Sequence, residues 1–204
     1  MRQFGFLCVA VGLFLGLAQN APAGVITFDN LSGNTGAIPK GYGGLNWDNF
    51  AYMSRTYLQL SGYNGYTNGA VSSPNVAFNA AGLPASVLSS NPFTLNSAYF
   101  TAAWRVGLTI AATDNKGDTK TFVVSPSGPM RETFNWTGIT SVTFTPSGGY
   151  PAPKAAGDGT EFALDNLTVN AATVPEPGSL TLFGLGGLAL AGYGWRRQKQ
   201  TVTA

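Results

Sequence analysis

From residue 24 to residue 173 the chain never runs far without a Gly, Pro, Asn, Asp or Ser, and such punctuation leaves no room for long helices. Between the breaks lie short runs rich in Val, Ile, Thr, Phe and Tyr: Val25 to Phe28, Val106 to Thr113, Thr119 to Ser125 and Ile139 to Thr145. Within them Leu108, Ile110 and Ala112, and likewise Val142 and Phe144, alternate with polar or small residues, the period-2 mark of a sheet with one buried face. Asp114-Asn115-Lys116-Gly117-Asp118 reads as the turn of a hairpin. Many short strands at this spacing predict an all-β fold, a jelly-roll-like β-sandwich, over residues 24–173. An immunoglobulin-type sandwich is the weaker choice, because its Cys-Trp-Cys core cannot be built here: the only cysteine is Cys8.

The two ends differ from this middle. Met1-Arg2-Gln3, the apolar run Phe4 to Leu17 and the box Ala21-Pro22-Ala23 form a secretory signal peptide over residues 1–23, so the mature chain is expected to begin near Gly24. At the other end Val174-Pro175-Glu176-Pro177 precedes an uncharged run, Gly178 to Trp195, which as a helix would reach about 27 Å against a hydrocarbon core of about 30 Å. Its six glycines weaken that single transmembrane helix. Arg196, Arg197 and Lys199 hold the end of the chain on the cytoplasmic side of the inner membrane. The whole arrangement suits a temporary anchor, removed after the chain has crossed.

Residues 174–199 resemble the PEP-CTERM sorting domain of Gram-negative bacteria. The resemblance makes Pro175, Glu176 and Pro177 the recognition motif, with Arg196 and Arg197 closing the signal, and implies cleavage by an exosortase-type membrane enzyme. It also implies export and a final location at the cell surface or in the extracellular matrix. An ordinary C-terminal anchor on a Pro-rich stalk is the plainer alternative.

Little catalytic chemistry survives in the exported part. Cys8 leaves with the leader and the chain contains no histidine, which removes Ser-His-Asp and Cys-His catalysis and ordinary zinc sites. Residues 24–173 carry seven basic and eight acidic side chains, a net of −1, against +2 for the whole chain. No basic stripe follows a phosphate backbone, so nucleic acid is not an expected partner. Eight carboxylates could contain a glycosidase pair, for which Asp48 and Glu132, each near a tryptophan, are the candidates, and the expectation is that the protein is not an enzyme.

Two stretches echo each other at opposite ends of the domain: Thr27-Phe28-Asp29-Asn30-Leu31 and Ala163-Leu164-Asp165-Asn166-Leu167. In both, the apolar phase changes across the aspartate, as a β-bulge would make it do. Asp29 and Asp165 then satisfy N–H groups of the bulges, or, if the terminal strands lie side by side, share a structural Ca²⁺. The bracketed arrangement resembles secreted jelly-roll modules of the galactose-binding-like or carbohydrate-binding kind. Ile38 to Trp47, Val76 to Asn79 and Ala98 to Trp104 are similar to segments of exported bacterial proteins without a settled activity.

Seven aromatics fall between Tyr42 and Tyr66. Trp47, Phe50 and Tyr52, with Trp104 and Trp136 further on, sit in strand-like runs and are expected in the core. Ser61-Gly62-Tyr63-Asn64-Gly65-Tyr66-Thr67-Asn68-Gly69 has no apolar partners and is expected to be an exposed loop. Tyr63 and Tyr66 would stack on sugar rings there, Asn64 and Asn68 would bond hydroxyls, and Tyr42 in its own glycine-rich turn would assist. These residues point to an extracellular polysaccharide as partner. The alternatives are a non-binding structural matrix component, a glycoside hydrolase and an ice-binding protein.

Overall fold

A computed structural model describes residues 24–57 and 64–170. The leader, the sorting signal with its apolar run, and Tyr63 lie outside the described residues. The strands are β1 (Gly24–Ile26), β2 (Thr35–Ala37), β3 (Asn46–Asp48), β4 (Phe50–Ser54), β5 (Asn75–Asn79), β6 (Ala85–Ala102), β7 (Arg105–Asp114), β8 (Thr119–Val124), β9 (Met130–Pro151) and β10 (Phe162–Val169). The helical pieces are one-turn: α1 (Gly65–Asn68) and two 3₁₀ turns, Tyr42–Gly44 and Ala80–Gly82. The expected hairpin is present, with Gly117 at φ +96° and the Asp114 amide bonded to the Asp118 carbonyl at 3.0 Å.

All these strands join one hydrogen-bonded path, β2-β4-β5-β10-β6-β9-β7-β8, with β1 beside β10 and β3 beside β6. The two long strands fold that path into a sandwich. β6 and β9 pair over Ala85–Leu88 and Ser141–Phe144, lose register between Leu88 and Phe93, and pair again from Phe93 to Phe100 against Ile139 to Met130, with further register shifts on either side of Leu95. Such irregularities let a strand turn a corner and serve two layers. The first layer holds β2, β4, β5, β1, β10 and the later half of β6 with the start of β9. The second holds β3, the start of β6, the later half of β9, β7 and β8.

Alternate residues of both layers meet in one core. Phe100 lies 5.2 Å from Phe144 and 5.9 Å from Phe162 between ring centroids, and Phe50 reaches Phe144 at 6.3 Å. Edge-on and tilted rings dominate, as the aromatic quadrupole favours. Phe50, Tyr52 and Trp104 are buried, and Trp47 and Trp136 pack against the core, as their strand settings suggested.

The terminal strands do lie side by side: Gly24 pairs with Val169 and Ile26 with Leu167. The bulge at the second aspartate is also real, since Asp165 faces Tyr99 while Thr168 faces Ser97, with Asn166 at φ +49° between them. The first copy is different. β1 ends at Ile26 and Phe28 takes a left-handed φ of +63°, closing a turn with the Leu31 amide on its carbonyl at 3.0 Å. A left-handed phenylalanine is costly; here its ring is wholly buried between Tyr42 and Trp47. It is a corner, not a bulge.

Candidate functional site

The described part of the segment expected to be an exposed sugar-binding loop, residues 64–69, is largely a buried plug. Asn64 caps α1, its side-chain oxygen accepting from the Tyr66 amide at 3.0 Å, and its amide donates to Thr67 Oγ1 at 3.2 Å. The first residue of the turn has to be glycine: a Cβ on Gly65 would stand 1.8 Å from the Ala102 carbonyl oxygen. That close approach drives Tyr66 inward, to 3% exposure, with centroids 5.4 Å from Phe78 and 5.3 Å from Trp104. Burial, and secondarily the Glu161 carboxylate, raises the Tyr66 pKa above the ordinary phenol range.

Tyr66 and Asn64 are therefore corrected from binding to packing. The sequence hid this because the apolar partners of Tyr66, Phe78 and Trp104, come from β5 and from the bend between β6 and β7, not from its own loop. Asn68 is exposed, and its amide donates to the Pro126 carbonyl at 2.8 Å. Tyr42 is only part-exposed: its ring stacks on Phe28 at 5.9 Å, its hydroxyl donates to Asn30 Oδ1, and its carbonyl accepts from Trp47 Nε1 at 3.0 Å. Tyr42 and Tyr66 thus belong to separate apolar clusters.

The two aspartates hold opposite ends of the segment that follows α1. Asp29 Oδ1 accepts the Asn75 amide at 3.0 Å. Asp165, with no exposed surface, takes the Val71 and Ser72 amides on Oδ2 at 2.8 Å each, and its own neighbour's amide, Asn166, on Oδ1 at 2.7 Å. The Ser72 hydroxyl lies 3.1 Å from Oδ1. Burial pushes the Asp165 carboxyl up to about 6, against the opposing pull of these hydrogen bonds. Among the described residues no cluster of three or more acidic, histidine or cysteine side chains forms a metal cage. The carboxylates of the glycosidase reading sit on different layers: Glu132 pairs across from Ala98 and binds Lys120 at 2.6 Å, while exposed Asp48 lies on β3 opposite Ser86.

One surface that the sequence reading did not single out is regular. On the outward phase of the second layer, Ser86 of β6 faces Thr143 of β9, which faces Thr113 of β7, which faces Thr119 of β8. The hydroxyls confirm a shared face: Ser86 Oγ and Thr143 Oγ1 are 2.8 Å apart, Thr113 Oγ1 and Thr119 Oγ1 3.3 Å. The next row is Thr145, Ala111, Thr121, and the one beyond it Ser147, Thr109, Val123. Neighbouring strands lie about 4.8 Å apart and alternate residues about 6.8 Å, so hydroxyls and methyls form a two-dimensional lattice. In these three rows no side chain is charged; Asp48 stands at the far edge, on β3. The signal lay in Thr119-Lys120-Thr121 and Thr143-Phe144-Thr145, whose outward phase complements the apolar phase used to identify the strands.

Residues 173–198 match the PEP-CTERM protein-sorting motif, in agreement with the tail's own residues. No curated protein matches the chain. Among solved structures it is similar to a DUF4465 family protein from Bacteroides caccae ATCC 43185, at 11% identity and a TM-score of 0.41, over 80% of this chain and 99% of that one. A second similar structure is TmCBM61 in complex with β-1,4-galactotriose, at 11% identity and a TM-score of 0.32, over 63% of this chain and 87% of that one. A third is the N-terminal CBM22-1-CBM22-2 tandem domain from Paenibacillus barcinonensis Xyn10C, at 13% identity and a TM-score of 0.35, over 79% of this chain and 50% of that one.

Proposed function

We propose that this is an exported, non-enzymatic protein of the cell surface or extracellular matrix whose β-sandwich holds neutral polysaccharide, and that an exosortase-type enzyme releases it from its apolar tail. The observation that carries the reading is the sorting motif at residues 173–198, which marks the chain as an exported protein sorted to the cell surface. Composition supports the partner. With no histidine anywhere and nearly balanced charges over residues 24–173, the domain has little with which to attract a polyanion and little for general acid–base catalysis.

Two measurements on protein from the producing cell test the reading. Intact mass is expected to give a chain starting near Gly24 and ending near Pro177, and the protein is expected to co-sediment with insoluble neutral polysaccharide without releasing reducing sugar. A retained tail would overturn the sorting step. Release of reducing ends would make the protein a hydrolase, and failure to sediment would leave a structural matrix component.

A further inference from the structure

We propose that the polysaccharide docks on the outward hydroxyl face of the second layer, centred on Thr113, Thr121, Thr143 and Thr145, and that binding is multivalent along the polymer. This rests on the polysaccharide reading above and gives that reading a site.

The occupant follows from what the face offers and what it withholds. The hydroxyl groups of Ser86, Thr109, Thr113, Thr119, Thr121, Thr143, Thr145 and Ser147 each carry one donor and two acceptor lone pairs; the Ser86–Thr143 and Thr113–Thr119 pairs use one donor and one acceptor each between themselves and leave the rest to a ligand, with the threonine methyls between them. A neutral pyranose polymer presents the same mixture, hydroxyls at its edges and C–H groups on its faces. Protein interfaces draw on Tyr, Trp, Phe, Met and Arg at their centres, and none of these side chains stands in the three rows. A polyanion would require Lys or Arg, and the rows have neither; Lys120 turns to the other side, over the Phe134 ring and onto Glu132.

A face without rings cannot hold one sugar firmly by stacking. Its advantage is repetition: the rows recur about every 6.8 Å and the strands about every 4.8 Å. A long chain can make many weak direct or water-bridged contacts at once, and linked contacts multiply rather than add. The face should therefore ignore short oligosaccharides, retain on long or insoluble neutral polymers, and be insensitive to salt, which screens only charges.

The test uses the full chain on insoluble cellulose, xylan and mannan, with alginate as the anionic control, at low salt and at molar salt. Two double variants are compared with wild type: Thr121→Lys with Thr145→Lys, and Thr121→Val with Thr145→Val. These exposed residues flank Ala111 on either side. The lysines are expected to reduce retention on neutral polymer at least tenfold, and the valines, which keep shape and methyl groups, several-fold. If both well-folded variants are retained like wild type while wild type does bind, the site lies elsewhere and only this inference falls. If wild type binds no neutral polymer, or is instead taken up into growing ice, both the site and the polysaccharide reading fall. Should the lysine variant fold poorly, the valine variant decides alone.

Discussion

The outer faces of the two layers have opposite fates. On the first layer the segment from Asn64 to Asn75 crosses the sheet, buries Tyr66 with Met53, Val76, Trp104 and Ala163 in a second small core, and is tied down by Asp165. On the second layer nothing among the described residues covers Thr113, Thr119, Thr121 or Thr145, all of them exposed. The sequence invites the reverse assignment, because the covered face is crossed by tyrosine, asparagine and glycine and the open one is built of threonine. What decides is which side chains find partners on other strands. Aromatic rings that find partners there become core, whereas a hydroxyl lattice paired only with itself stays at the surface.

The largest expected effect tests the covered face. Tyr66→Ala removes a buried ring wedged between Phe78 and Trp104, and urea unfolding should show a loss of about 3 to 5 kcal/mol. A loss below about 1 kcal/mol would mean that the ring is not packed, and would return Tyr66 to the role of a surface platform.

A smaller and pH-dependent effect belongs to Asp165. In Asp165→Asn the best orientation keeps the oxygen on the Val71 and Ser72 amides and turns the NH₂ toward the Asn166 amide, leaving that donor unsatisfied. The cost at pH 7 should be about 1 to 3 kcal/mol. The native carboxyl, raised to about 6, holds its proton more tightly than the unfolded chain, whose Asp titrates at about 3.9. Stabilisation from protonation is then full below about pH 4 and lost as pH rises through about 6, up to about 3 kcal/mol in all. The cost of Asp165→Asn should therefore grow as pH falls from 7 to 4, which denaturation curves at matched pH will read. A cost that shrank on acidification would show that the fold favours the carboxylate. Since the Asp165 oxygens already accept donors, millimolar calcium is expected to leave the melting temperature unchanged. A calcium-dependent rise abolished by Asp165→Asn would establish the joint site with Asp29.

The period-2 runs made the sandwich legible, because alternation reports one buried face whatever lies opposite. The bulge at Asp165 was legible for the same reason: the apolar phase slips there, from Leu164 to Leu167. The corner at Phe28 was not. Its residues repeat the other motif, yet β1 ends before them, and only the ring's burial between Tyr42 and Trp47 explains the left-handed backbone. Nor was the fate of the glycine-rich segment legible, since the need for Gly65 arises from a carbonyl on Ala102, far along the chain. The buried amides were missed too. Asn79 accepts the Phe162 amide and donates to Leu83, and Asn75 donates to the Phe28 and Leu31 carbonyls. In sequence such asparagines look like loop residues. The threonine lattice needed registers across four strands, which no single run contains.

The smallest expected effect tests the open face. Thr121 and Thr145 lie on β8 and β9 on either side of Ala111, both exposed, and valine at each position keeps the branched shape that suits a pleated strand. With no buried hydrogen bond to lose, Thr121→Val with Thr145→Val should change stability by no more than about 0.5 kcal/mol per site. Urea unfolding beside Tyr66→Ala makes the contrast direct: a large loss from one face and nearly none from the other, although both substitutions leave the strands intact. A loss above about 2 kcal/mol from the valine pair would mean that this face too is covered in the intact protein, and would remove the threonine lattice as a binding surface. A negligible change in stability, together with a several-fold loss of polymer retention, would separate binding from folding on the second layer, whereas on the first layer Tyr66 is a packing residue whose loss is felt in folding.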